Sequence, residues 1–174
     1  ETLSLLRVQR ATNVEEAREA YRGWRCPTWN QVFADDSGNI GYQATGAIPI
    51  RGREHRGFRR AGDPVDAWQG TIPFDGLPRL HNPGRGWIAS ANNPTAPPDF
   101  PYPLNGTWAP EDRAARAEHL LQTRQPHSLD GFEAIQTDVH SGRAERGTPA
   151  LLAALAGSAD PAVIAAGERL RDWD

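Results

Sequence analysis

The sequence predicts an α+β fold, and three observations carry that prediction. Among 174 residues there are 17 glycines and 15 prolines, concentrated between Pro27 and Pro110, so the middle of the chain must be rich in turns. From Thr28 to Ala34 the aromatic and β-branched content rises, with Trp29, Gln31 and Phe33 alternating with Asn30, Val32 and Ala34, the period of a half-buried strand. The flanks are instead rich in alanine and leucine. The chain therefore reads as a short helix, a strand- and loop-rich stretch over 27–109, and a helical stretch over 110–173, within a single segment 1–174.

Asn13-Val14-Glu15-Glu16 places an N-cap residue three positions before an acid, a variant of the capping box. The helix it starts is predicted to run to about Arg22, where Gly23 ends it. Asp35-Asp36-Ser37-Gly38-Asn39 supplies turn chemistry between the strand above and a second one from Ile40 to Ala47. That pattern predicts a β-hairpin with a five-residue loop. Residues 51–66 are dense in charge and glycine and read as an exposed loop. Trp68 to Pro73 and Gly86 to Ala91 each fit a short strand, separated by the turn-rich Phe74 to Arg85. Five prolines between Asn92 and Pro103 remove too many donors for a central strand and predict coil. Pro110 suits the first turn of a helix through Arg113, Arg116 and Leu120. Ser128 caps a second helix, Thr148-Pro149 starts a third, and Asp160-Pro161 a fourth that ends near Trp173.

Composition narrows the function classes. The length fits one domain or a large piece of one. With 19 basic and 22 acidic side chains the net charge is −3, which leaves no electrostatic footprint for nucleic acid or an anionic membrane. No apolar run approaches the roughly 20 residues of a membrane span. All 19 basic residues are arginine, a bias that fits a GC-rich genome better than a functional demand. The chain opens at Glu1 with no signal pattern, which predicts a cut or processed piece. A lone Cys26 excludes an internal disulfide framework and a cysteine-based zinc cluster.

Candidate chemistry is sparse when read residue by residue. Nothing near Cys26 would lower its thiol pKa, so a structural or merely tolerated cysteine is the reading. His55, His81, His119, His127 and His140 show no metal-ligand spacing. Asp35 to Asn39 lacks the alternating carboxylates and distal glutamate of a calcium loop. Asp75, Asp99 and Glu111 offer carboxylate pairs no more specific than chance. The tryptophans at 24, 29, 68, 87, 108 and 173 are irregularly spaced and read as core and loop anchors rather than a stacking platform. Asn92-Asn93 follows the apolar Trp87 to Ala91 and puts amide donors at the end of an expected strand. Two readings stand: an Asx turn before Pro94, or a donor for an oxyanion.

Several motifs then occur in one order. Trp29-Asn30 through Phe33-Ala34-Asp35 leads into Gly38-Asn39-Ile40-Gly41-Tyr42, Gly46 and Pro49. Trp68-Gln69-Gly70, Ile72-Pro73-Phe74-Asp75, Asn82-Pro83, Gly86-Trp87-Ile88-Ala89 and Asn92-Asn93 follow. Asp112-Arg113 before Leu120-Leu121, and Gln136-Thr137-Asp138 with Ser141, complete the set. Over roughly residues 15–155 the chain resembles an internal part of the β-chain of the penicillin acylase family. The resemblance implies part of a four-layer αββα N-terminal-nucleophile hydrolase. Members cleave an amide in penicillins, cephalosporins, acyl-homoserine lactones or lipopeptides. Their nucleophile is the serine that begins the β-chain, exposed when a zymogen precursor cuts itself, with its own α-amino group as base.

By that resemblance Asn92 matches the asparagine that donates to the tetrahedral oxyanion. Arg113 matches an arginine that supports the site, and Asn93 is the neighbouring alternative to Asn92. Residue 1 is Glu rather than Ser, so the nucleophile is expected on sequence outside this chain, which alone would be inert. Family members often bind a structural calcium through an acid just beyond the asparagine pair; Tyr102-Pro103-Leu104-Asn105 offers none, so no cofactor or metal is expected. Expected partners are the remaining α- and β-chain segments and a small-molecule amide, with no nucleic acid and no membrane. The family's habit implies a periplasmic or secreted location. The rival expectation is a non-catalytic binding or assembly module that retains the acylase scaffold.

Overall fold

Helix α1 (Thr2–Val8) is the first element of the computed structural model, which describes residues 1–51, 62, 67–104, 106–171 and 173. These fall into two compact units, Glu1–Ala109 and Pro110–Asp174. Sequence reasoning missed α1 because no side chain caps it and its leucines at 3, 5 and 6 remain exposed, which leaves no amphipathic register to read. Helix α2 (Val14–Ala20) starts as expected: Asn13 accepts from the Glu16 amide at 2.9 Å. Glu16 reaches back to the Thr12 amide at 2.8 Å, one residue outside the usual box.

The hairpin forms as predicted. Strand β1 (Trp29–Ala34) pairs antiparallel with β2 (Ile40–Thr45), in register from Trp29 opposite Thr45 to Ala34 opposite Ile40. Asp35 organises the loop by accepting from the amides of Ser37 and Asn39 at 3.1 and 2.9 Å. Its other oxygen takes the Val14 amide at 3.2 Å and so ties the turn to the start of α2. These donors, the Asn39 side chain foremost, hold the Asp35 carboxyl below its ordinary pKa.

The third strand is a correction. After a 3₁₀ turn (Phe74–Gly76), β3 (Arg79–His81) pairs with the far edge of β2, giving the sheet order β1-β2-β3. It lies inside the stretch read as turns. Asn82 extends it from φ +43: its backbone amide donates to the Ile40 carbonyl at 2.9 Å, and its side chain accepts from the Ile40 amide at 2.8 Å. Of the two expected strands, the first survives as a short antiparallel pairing of residues 69–72 with 48–50 around the Thr71–Pro49 bridge. The Ile50 amide donates to the Gly70 carbonyl, the Gln69 amide to the Ile50 carbonyl and the Ile72 amide to the Ile48 carbonyl, each at 2.9 Å. Residues 86–91 carry no strand; there the backbone turns to side chains instead, the Trp87 carbonyl accepting from Arg85 Nε at 3.0 Å and the Ala91 amide donating to Asn93 at 2.9 Å. The charged loop expected at 51–66 lies outside the described residues except at its Arg51 and Gly62.

Strand β2 is covered on both faces. Tyr42 and Ala44 join Ile72 and Leu77 in a core that Ile48, Phe74, Ile88 and Leu104 flank. The opposite face meets α2, where Gly41 leaves room for Val14: a Cβ on Gly41 would stand 2.5 Å from Val14 Cγ1. Gln43, fully buried on that face, is satisfied by donating to the Ala44 carbonyl at 2.8 Å and accepting from Arg18 Nε at 2.9 Å. Arg18 continues to Asp75 at 2.6 Å, Arg22 joins the same carboxylate at 2.8 Å, and both guanidinium groups lie over the Phe74 ring. Asp75 is thus held well below the ordinary carboxylate pKa by Arg22 first and Arg18 second. Its place is in an ion-pair clamp on α2.

The second unit is helical among its described residues: α3 (Asp112–Thr123), α4 (Leu129–Gln136), α5 (Gly142–Leu155) and α6 (Pro161–Arg171). Ser128 caps α4 as predicted, accepting from the Gly131 amide at 3.0 Å. Helix α5 begins earlier than expected. Ser141 caps it by accepting from the Ala144 amide at 3.2 Å, and Pro149 lies inside it, where the Thr148 hydroxyl donates to the Ala144 carbonyl at 2.7 Å. An interior proline costs about 3 kcal/mol, so the Thr-Pro pair read naturally as a start. Arg116 forks onto Asp138 through bonds of 3.0 and 2.7 Å and joins α3 to the turn after α4.

Candidate active site

In the first unit a cleft of about 360 Å³ opens beside the start of β1 and the end of β2, with Asn30, Thr45, Ile48, Asn92, Thr95 and Trp108 on its wall. Its floor is stiff. Thr45 is fully buried and donates its hydroxyl to the Trp29 carbonyl at 3.2 Å. Trp24 stacks on Trp29 at a centroid separation of 5.0 Å and donates from its indole to the Pro27 carbonyl. Gly46, at φ +113, lets the chain pass so close to Thr28 that a Cβ would meet Thr28 Cγ2 at 2.6 Å.

Asn92 stands on the cleft wall with φ +61, in the left-handed region that asparagine tolerates better than most residues. Its carbonyl accepts from the Ala109 amide at 2.9 Å. Asn93 takes the local turn role: its Oδ1 accepts from the Ala91 amide at 2.9 Å and its Nδ2 donates to the Pro94 carbonyl at 3.1 Å.

Sequence reasoning missed the side chains under this loop. The Tyr42 hydroxyl lies 2.6 Å from Asn30 Oδ1 and 2.8 Å from Thr95 Oγ1, and Asn30 Nδ2 donates to Ser90 Oγ at 3.1 Å. Burial raises the Tyr42 pKa, with the Thr95 bond opposing it, so the phenol stays protonated across the physiological range. The available signal was that Asn30 and Tyr42 are diagonal neighbours on one sheet face, Asn30 standing opposite Ala44 and Tyr42 opposite Val32. Arg113 lies in the second unit, exposed on the first turn of α3. Beside it Asp112 pairs with Arg146, which holds the Asp112 carboxyl below its ordinary pKa.

Cys26 is exposed. Among the described residues no group of three or more His, Cys, Asp and Glu side chains gathers where a metal ion could sit. Tyr102 to Leu104 carry no carboxylate, and Asn105 lies outside the described residues. Also among the described residues, no helix is long and apolar enough to cross a membrane.

The penicillin amidase family model matches residues 1–174. The chain belongs to the penicillin amidase family. It is 39% identical over 137 residues to an acyl-homoserine lactone acylase, QuiP, of Pseudomonas syringae pv. tomato, covering 75% of this chain and 16% of that protein. Against penicillin G acylase of Escherichia coli it is 35% identical over 109 residues, 59% of this chain and 12% of the relative. The structure of a thermostable penicillin G acylase from Alcaligenes faecalis superposes with a TM-score of 0.66 at 27% identity, covering 99% of this chain and 32% of that one. The chain thus spans about a sixth of the length of that QuiP relative. Its helices and small antiparallel sheet are a region of the N-terminal-nucleophile hydrolase fold.

Proposed function

We propose that this chain is a segment of an acylase β-chain that supplies the oxyanion donor, Asn92, and a supporting cation, Arg113, to an amide-hydrolysing site. The N-terminal serine nucleophile lies on sequence outside residues 1–174. The observation that carries the reading is Asn92 itself: a left-handed residue on a cleft wall, at the position that the ordered motifs match to the family's oxyanion asparagine. The acylase relatives supply the reaction class.

The serine hydroxyl attacks the amide carbonyl while its own α-amino group takes the proton. Charge collects on the carbonyl oxygen, and an amide N–H from Asn92 stabilises it. When the tetrahedral intermediate collapses, the C–N bond breaks and the protonated α-amino group returns its proton to the leaving amine. Water then attacks the acyl ester by the same route and releases the acid. Arg113 takes the part of the supporting cation that the family resemblance assigns it. By the same family reading we infer a periplasmic or secreted location for the full-length protein.

The test uses the full-length protein, with an N-acyl-homoserine lactone and penicillin G as probes. Asn92→Ala should lower kcat by about 10²–10³, per processed chain as counted by intact mass, while the circular dichroism spectrum is unchanged. Near-normal turnover in that variant would remove Asn92 from the site. If intact mass and chain count instead show no chain that begins with Ser, the whole acylase reading fails.

A further inference from the structure

Tyr42 sits in the middle of the central strand and is 3% exposed. Its ring fills the core with Ala44, Ile72 and Leu77, a task phenylalanine would perform equally well. The hydroxyl is what packing leaves unexplained. Asn30 Oδ1 can only accept, so the phenol donates to it across 2.6 Å. The Thr95 hydroxyl, 2.8 Å away, then donates to the phenol oxygen. Asn30 passes the connection on, its Nδ2 donating to Ser90 Oγ at 3.1 Å.

Ser90 and Thr95 bracket the loop that carries Asn92. One end is therefore tied to β1 through Asn30 and the other to β2 through Tyr42. Between them the loop is closed on itself by Asn93 and pinned by the Ala109 amide on the Asn92 carbonyl at 2.9 Å. Asn92 sits at φ +61, a conformation asparagine tolerates, and these bonds are what fix the loop around it. The geometry points to Tyr42 as a positioning residue that acts through Asn30, Ser90 and Thr95 to aim the Asn92 amide into the cleft. This inference rests on the proposed role of Asn92 as the oxyanion donor.

The experiment is Tyr42→Phe in the full-length protein, which removes one oxygen and keeps the ring. An amide aimed wrongly by a fraction of an ångström costs transition-state stabilisation and leaves substrate binding alone. We expect kcat to fall about 10–100-fold, with KM within about twofold. The inhibition constant of a boronic acid bearing the substrate's acyl group, which forms a charged tetrahedral adduct, should rise by the same factor as kcat falls. That of the product acid should not move. In an Asn92→Gly background Tyr42→Phe should cost nothing more, since the group it aims is gone.

An unchanged kcat with a lowered melting temperature would overturn the proposal and leave Tyr42 a structural residue. So would an equal loss of kcat in the Asn92→Gly background. Full turnover in Asn92→Gly alone would overturn the donor reading of Asn92, and this inference with it. Loss in Asn92→Gly without loss in Tyr42→Phe would sink this inference only. If Tyr42→Phe fails to fold, Thr95→Val breaks the same chain from the loop side and decides by the same ratio of boronic-acid to product-acid affinity.

Discussion

Replacing Asn92 by glycine separates the two roles an asparagine can play at this position. At φ +61 a residue with a Cβ pays for the left-handed region, about 1–2 kcal/mol for an ordinary side chain. Alanine therefore adds backbone strain and removes the amide together. Glycine removes the amide and relieves the backbone. If Asn92 is there for the turn, Asn92→Gly should turn over normally, and Asn92→Ala should lose no more than the strain can explain. A strain of about 1 kcal/mol corresponds to roughly fivefold in an equilibrium. If Asn92 is the oxyanion donor, both variants should lose about 10²–10³ in kcat, and glycine should be the more stable of the two. The readings differ by more than an order of magnitude, well outside kinetic error. The assay is steady-state amide hydrolysis by the full-length protein, per processed chain, beside thermal unfolding of both variants. Asn92→Gly within about fivefold of the parent would refute the donor argument and make Asn92 a turn residue.

Other consequences follow from the same structure. Gly41→Ala would drive a methyl to 2.5 Å from Val14 Cγ1 and should cost about 1–3 kcal/mol, read by urea unfolding. Adding Val14→Ala should recover part of the loss, and strict additivity of the two singles would show that the clash is not the cause. The Asp75 carboxyl is held low by Arg22 and Arg18, so its folded pKa lies below the unfolded one. Its contribution is therefore complete above about pH 4 and fades as the pH falls through the lowered folded value. Asp75→Asn should speed hydrogen exchange in α2 at pH 7, with the gap to the parent closing in acid; a gap that persists there would mean charge is not responsible. Arg113→Gln should lower kcat about tenfold, the worth of one charge-assisted bond of about 1.5 kcal/mol, while Arg113→Lys keeps most turnover. Equal turnover in both variants and the parent would remove Arg113 from the site.

Local signals were legible where one residue settles one local question. Asn13 caps α2, Ser128 caps α4, and Asp35 to Asn39 close the hairpin, because each satisfies backbone donors within four residues of itself. Legibility failed where the partner is distant in sequence. Strand β3 is three residues long and ends at a left-handed asparagine; its existence depends on the free edge of β2, more than thirty residues earlier. Residues 86–91 have the composition of a strand, yet the Trp87 carbonyl and the Ala91 amide bond to nearby side chains, and there is no ladder. Pro149 misled for the opposite reason, since a proline that ordinarily starts a helix here sits within one capped by Ser141.

The candidate site divides along the same line. Read alone, Asn92 and Asn93 are interchangeable amides before a proline, and only the ordered motifs distinguished them. In the structure the two differ: the Asn93 side chain bonds to Ala91 and Pro94, and Asn92 has a left-handed backbone on the cleft wall. What holds that arrangement was invisible for a reason of chemistry. A tyrosine in an apolar strand reads as core, and its ring is core, so nothing in the pattern reveals where its single hydroxyl ends. Catalysis by a fixed dipole requires a donor that does not reorganise as charge appears, and a proline-rich loop cannot supply such stiffness unaided. A strand buried on both faces can. Asn30 and Tyr42 stand on neighbouring strands of one sheet, each with an amide or a hydroxyl bonded to the loop. On this argument the Asn92 amide borrows its rigidity from the sheet, and the borrowing should appear as a loss in kcat when one buried oxygen is removed.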